Sequence, residues 1–155
     1  MQPPRALAIG AHPDDVEFMM GGTLLLLRQA GWETHSLNIA SGSLGGQNDP
    51  PRRLAAIRLR EVREAARRLG AVHHPPLVGD LEIYYEHRTL LRVAAVVREV
   101  RPTILLVPSP QDYMEDHMIA CRVTASAAFF RGMVNYITDP PRAPIADEIT
   151  LYHAL

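Results

Sequence analysis

The stretch IGAHPDDVEFMMGG, residues 9–22, ends an apolar run on a glycine and follows it with a histidine, a proline and two adjacent aspartates. Ala6–Gly10 reads as a short buried strand. From Asp15 the period changes. Val16, Met19, Met20, Leu24 and Leu27 share one helical face as far as about Ala30, and Gly31 supplies the stop. Strand, polar loop and helix in that order form the opening unit of an α/β sheet. Pro13 suits a first helical turn, and the acidic residues beside it complement the helix dipole. Asp14 or Asp15 could also bond the free amides there. Three features go beyond a helix start. His12 precedes proline, which restricts its backbone to extended conformations and so fixes where the imidazole points. Adjacent aspartates do not easily share one direction, so one can bind a metal while the other reaches the water at that metal. A cap needs no histidine.

The alternation continues along the chain. Thr34–Ala40 reads as a second strand, SGSLGGQNDPP (41–51) as a loop, and Arg52–Leu69 as an arginine-rich amphipathic helix stopped by Gly70. A weaker third strand is expected around Leu77–Val78. A helix over Thr89–Val100, a strand at Ile104–Val107, a helix from about Asp116 to Gly132 and a strand from Ile149 to Leu155 follow. Strands alternating with helices imply a mainly parallel sheet flanked by helices, a Rossmann-like three-layer α/β fold. The length fits one domain over residues 1–155. In such sheets ligands bind outside the carboxyl ends of the strands. Two polar clusters lie there: AHPDD (11–15) and SPQDYMEDH (109–117).

Composition removes several classes of function. Net charge is −1, which argues against a nucleic-acid partner or an acidic membrane surface. Every positive residue is arginine, so neither a Schiff-base lysine nor a phosphate-loop lysine is available. The lone Cys121 excludes an intrachain disulfide and a multi-thiolate zinc site, and a reducing cytoplasm is the expected setting. TLLLL (23–27) is too short to span a bilayer, and the first fifteen residues do not read as a signal peptide.

His117 opens the helix after the fourth strand. With His12 and Asp15 it makes a set of two nitrogens and one oxygen, the type of set that leaves a fourth position on a catalytic zinc open for water. Asp116 or another acceptor could hold the second ring nitrogen of His117. AHPDDVEFMMGGTL (11–24) together with PSPQDYMEDH (108–117) resembles the LmbE-like, or PIG-L, family of metal-dependent N-deacetylases, over Leu7 to about Leu155. The resemblance implies a Rossmann-like fold and removal of an N-acetyl group from an N-acetylglucosamine-type sugar by zinc-activated water. It makes His12, Asp15 and His117 the ligands of Zn2+, or of another divalent metal such as Fe2+, and Asp14 the general base. Glu17 and Asp116 would stand behind the ligands, Arg58 would face substrate hydroxyls, and Asp80 would contact substrate. It also implies a homo-oligomer, and a chain lacking the family's C-terminal segment.

Other readings of these residues stay open. Arg58 and Glu61 also suit a solvated helix face, and Asp80 suits a turn. Many relatives carry a histidine three residues before the second zinc histidine. Met114 stands there in this chain, and a thioether cannot donate a hydrogen bond to an oxyanion. Either another group substitutes (Tyr113, His153 or a neighbouring subunit's histidine), or deacetylation is slower, or the substrate differs. A truncated or non-catalytic metal-binding domain, and an amidase acting on a thiol conjugate, are the rival functions. Gly21–Gly22 inside a helix implies a close neighbour, either the SGSLGG loop or the loop after the fourth strand. SGSLGG itself reads as a pocket rim, His73 and His74 as surface residues, and Cys121 as a buried core thiol.

Overall fold

The computed structural model describes residues 3–154. Met1 and Gln2, and Leu155 at the end of the last expected strand, lie outside the described residues. Five strands form one all-parallel sheet: β1 (Arg5–Gly10), β2 (Glu33–Asn38), β3 (Val72–His74), β4 (Ile104–Val107) and β5 (Thr150–His153). Between them run α1 (Gly21–Gln29), α2 (Pro51–Leu69), α3 (His87–Val100) and α4 (Glu115–Phe130). The strand order is 3-2-1-4-5. The chain therefore winds outward from β1 in one direction and then, from β4, in the other. This is the doubly wound Rossmann arrangement, with its switch point between β1 and β4.

The side chains of β1 explain the layers. Leu7 and Ile9 point to one face, where they pack with Leu37, Leu105 and the apolar stripes of α3 and α4 (Val93, Val97, Ala120, Val123). Ala8 points to the other, under Val16, Met20, Leu24 and Leu106. A small residue on that side lets the first helical segment lie close to the sheet. Each fully buried Leu or Ile of the larger cluster contributes roughly 1.5–3 kcal/mol of hydrophobic stabilisation. Among the described residues no helix is long and apolar enough to cross a membrane.

Two expectations need correction. The third strand lies at Val72–His74, not at Leu77–Val78. Pro75 and Pro76 remove two amide donors and end the ladder, and beyond them only an isolated bridge, Ala40 to Val78, continues it. Nor does either loop press on Gly21–Gly22. A Cβ at Gly21 would meet Leu69 at an ordinary 3.8 Å, and one at Gly22 would meet nothing within 4 Å. The helix begins instead with a π-helical turn at Val16–Met20 that feeds directly into α1.

The corrected β3 brings two histidines into the sheet. His74 is half-buried and stacks on the buried His35 of β2, with ring centroids 5.3 Å apart. Glu33 lies 2.9 Å from His35 Nε2 and fixes its proton there. His35 Nδ1 is then the acceptor, 3.1 Å away, for the N–H of His74 Nε2. Burial holds both imidazoles neutral, pushing His35 down and His74 to about 4. In the unfolded chain each titrates near 6.5. The unfolded state therefore binds more protons between those values, and stability falls as pH drops from about 6.5 toward 4. Denaturant titrations from pH 7.5 to 4 should show the His74→Asn chain losing less stability than wild type over that window. The difference expected is about 2 kcal/mol, after allowance for the partial exposure of His74.

Candidate metal centre

The site sits at the switch point, where the loops after β1 and β4 meet. A Cβ on Gly10 would lie 2.7 Å from Asp15 Cβ, so the glycine is what lets Asp15 fold back over the strand end. Asp15 Oδ2 accepts the amides of Ala11 and His12 at 2.8 and 2.7 Å. That fixes the carboxylate and aims Oδ1 away from the loop, 3.3 Å from His117 Nε2. His12 Nδ1 lies 3.9 Å from Asp15 Oδ2. One ligand atom from each of His12, Asp15 and His117 falls within 4.8 Å of the others.

Each imidazole is held from behind by a carboxylate. Asp116 Oδ2 lies 2.9 Å from His12 Nε2 and also receives the amide of Leu81 at 3.3 Å. Asp112 Oδ2 lies 2.9 Å from His117 Nδ1, while its Oδ1 accepts the Met114 amide. These two bonds, the Met114 amide first, keep the Asp112 carboxyl below the ordinary carboxylate range. The partners assign the protons to His12 Nε2 and His117 Nδ1, and so leave lone pairs on His12 Nδ1 and His117 Nε2. His117 Nε2 is buried with no hydrogen-bond partner. A lone pair facing a carboxylate oxygen at 3.3 Å is repulsive unless a cation lies between them. The donor set therefore fits a divalent metal on the chemistry of its own atoms.

Of the options left open for His117, Asp116 or another acceptor, it is another acceptor that holds its second ring nitrogen. Asp116 supports His12 across the site, and Asp112, absent from the sequence reading, supports His117. Its signal was local: an aspartate two residues before a helix N-terminus, capturing the Met114 amide in a turn.

Asp14 stands beside the triad in an unusual backbone conformation, with φ of +119°. For a residue with a Cβ such a conformation costs on the order of 1–3 kcal/mol and must be held by its surroundings. Arg58 does the holding. Its Nη2 donates to the Asp14 carboxylate at 2.8 Å and to the Pro13 carbonyl at 2.6 Å, and Nη1 donates to Glu61 at 2.8 Å. Gly42, at φ +74°, lets the loop after β2 close on the same point, since a Cβ there would lie 2.8 Å from Pro13 Cγ. Asp80 fixes this loop. Its two oxygens accept the amides of Gly42 and Leu44 at 2.6 and 2.7 Å. Glu17 lies outside the ligand set; burial pushes its carboxyl up, and its Oε2 is buried without a partner.

His12 and Asp15 of this set line a cavity of about 620 Å³, with the buried His117 behind them. Asp14, Asp15, Asp49, Glu61 and Asp80 line it against a single guanidinium, Arg58. Of the expected substitutes for a histidine at position 114, Tyr113 and His153 do not line this cavity. Tyr113 is 93% exposed, and His153 lies against the Pro108 carbonyl and Cys121. Met114 itself forms part of the wall.

Residues 7–128 match the family described as PIG-L, GlcNAc-PI de-N-acetylase. Diacetylchitobiose deacetylase of Thermococcus kodakarensis is 32% identical over 85% of this chain and 52% of its own length. 4-Oxalmesaconate hydratase of Pseudomonas putida is 28% identical over 88% of this chain and 58% of its own. The chain thus spans a little over half the length of these two relatives. Among solved structures, the 4-carboxy-2-hydroxymuconate hydratase of Pseudomonas putida superposes with a TM-score of 0.85 at 26% identity, over 97% of this chain and 65% of the other. The N,N'-diacetylchitobiose deacetylase of Pyrococcus horikoshii has the same fold, with a TM-score of 0.86 at 24% identity, over 97% of this chain and 60% of the other.

If Asp112 sets the tautomer of His117, Asp112→Asn weakens zinc binding about 10–100-fold, and His12→Ala removes stoichiometric binding. Competition against a chromophoric chelator measures both. Wild-type zinc content in His12→Ala would contradict the ligand set.

Proposed function

The chain belongs to the PIG-L, GlcNAc-PI de-N-acetylase, family, and from that premise we propose that it is a metal-dependent amide hydrolase that removes the acyl group from an N-acylated amino sugar of the N-acetylglucosamine type. The observation that carries this reading is the convergence of ligand atoms of His12, Asp15 and His117 beside a cavity that His12, Asp14 and Asp15 line. A divalent cation, zinc or another such as Fe2+, supplies Lewis acidity when held there, lowering the pKa of water and polarising an amide carbonyl.

The chain's own residues do the rest. Asp14 takes the proton from the attacking water as general base and passes it to the nitrogen as the C–N bond breaks. Arg58 positions that carboxylate and locks its strained backbone through the Pro13 carbonyl. Asp112 and Asp116 keep both ligating nitrogens free of protons. The products are a carboxylate and an amine that is cationic at neutral pH. The excess of carboxylates around the cavity suits the amine.

Hydration of a carbon–carbon double bond, the activity named for two of the relatives, is the second reading. Those relatives' names describe substrates carrying several carboxylates. Such polyanions call for cationic lining, and Arg58, the one guanidinium here, is already paired with Asp14 and Glu61. The charge of the cavity therefore favours the amide reading.

Asp14→Asn should retain one equivalent of zinc while amine release from N-acylated glucosamines and their glycosides falls by a factor of about 10²–10⁴. Metal analysis beside a fluorogenic amine assay reads both quantities. Zinc-loaded wild-type protein that releases amine from no member of that panel overturns the reading.

A further inference from the structure

The metal centre opens on two sides. Beyond Met114 and Leu81 lies a second groove of about 470 Å³, which shares His12, Leu81 and Met114 with the main cavity and continues along Ile83, Tyr84 and Ile119. The two grooves differ in character. Asp14, Arg58, Asp49 and Asp80 all line the first; the second presents Leu81, Ile83, Tyr84, Met114 and Ile119, with Glu115 and Asp116 as its only carboxylates among the described residues. Leu81 forms the ridge between them at φ +60°, a conformation that a leucine rarely adopts. Its amide is tied to the carboxylate that holds His12, and its side chain is 67% exposed. Tyr84, next along the groove, is 56% exposed. A strained, exposed leucine fastened to the metal site's own support is the kind of feature that persists at a ligand contact.

Resting on the amide-hydrolase reading above, we infer that this groove takes the acyl side of the substrate, and that the preferred acyl group is a medium-length alkyl or aryl chain rather than acetyl. Asp14 settles the orientation. The group that returns a proton to the leaving nitrogen lies on the first cavity's wall, so the amine and its sugar occupy that acidic side. The carbonyl carbon sits at the metal centre, and its substituent points the opposite way, past Met114. An acetyl methyl needs no more room than one water, roughly 30 Å³, and the groove offers more than ten times that. Met114 joins Leu81, Ile83, Tyr84 and Ile119 as the apolar part of a wall that also carries the Glu115 and Asp116 carboxylates. In the reaction water adds to the acyl carbon, the C–N bond breaks, and the fatty or aryl carboxylate and the free amino sugar leave with no further reactant.

The test is a chain-length profile with zinc-loaded protein and the N-acetyl, N-butanoyl, N-hexanoyl and N-phenylacetyl derivatives of glucosamine. kcat/KM should rise roughly two- to fourfold per methylene from acetyl to hexanoyl, the gain expected for progressive burial of each CH2. In Tyr84→Ala, a change at an exposed position, the hexanoyl-to-acetyl ratio should shrink several-fold. A profile that is flat or falls with length, in protein that hydrolyses the acetyl compound, overturns the groove assignment and leaves the hydrolase reading standing. A Tyr84→Ala ratio equal to wild type also counts against the groove. Absence of hydrolysis across the whole series removes the hydrolase reading and this one with it.

Discussion

The Asp15 carboxylate folded back onto the amides of Ala11 and His12 is the contact on which the rest of the site depends. It closes the end of β1 and orients one oxygen toward His117 in the same stroke. Gly10 makes room for it, and Pro13 lies in the turn ahead of the Asp15 N-cap, outside the helix that begins at Val16. A capping role and a metal-ligand role are usually weighed as alternatives. Here the Asp15 side chain caps no helical amide; one oxygen braces the loop after β1 and the other faces His117. Charge-assisted bonds from two amides are among the stronger contacts a loop can make. They hold the ligand oxygen without help from a cation.

Around that point the loops support one another in series. Asp80 gathers the amides of Gly42 and Leu44, Gly42 lies against Pro13, and Arg58 ties Pro13 to Asp14. The positive φ of Asp14 is tolerable because three separate segments converge on it. Each contact is modest alone, but together they offset a strain of a few kcal/mol. This also gives Arg58 and Asp80 work within the protein, as the holders of Asp14 and of the pocket rim.

Much of this was legible in the sequence because periodicity and punctuation agreed. The strands at Ala6–Gly10, Thr34–Ala40 and Ile104–Val107 are apolar runs bounded by turn residues, and long helices stopped by Gly70 or led into by polar loops left little choice. The alternation then required a parallel sheet, which set AHPDD and SPQDYMEDH at one edge. What escaped was information that lives between segments. β3 is three residues long and carries two histidines, so it has no apolar signature; it is a strand because β2 offers an edge and because His74 can stack on His35. Asp112 was missed for a related reason. Its partner His117 is five residues away, a spacing that means nothing in a regular helix and becomes a contact only when the chain turns at Met114. The pairing of Asp116 with His12 is a fact about which strand ends meet, and no local pattern encodes it.

Met114 changes meaning once the two sides of the centre are compared. Read along the chain, it is the loss of a hydrogen-bond donor, and one such donor is worth a factor of about 10²–10³ where an oxyanion develops. Read in space, it lies between a carboxylate-rich cavity and a groove whose lining is apolar apart from His12, Glu115 and Asp116, and a donor at this place would have to be desolvated whenever an apolar group lay against it. A thioether carries no such penalty and adapts its shape to what it touches. The same position therefore sets two quantities in opposition: stabilisation of charge on the carbonyl oxygen, which favours a polar residue, and burial of the acyl substituent, which favours an apolar one. For an acetyl group the first dominates, because one methyl offers little area to bury. Each added methylene contributes about 0.8 kcal/mol to the second, so four or five of them match the 2.7–4 kcal/mol lost with the donor. That crossover makes methionine at this place a coherent choice for an enzyme whose substrates carry more than acetyl.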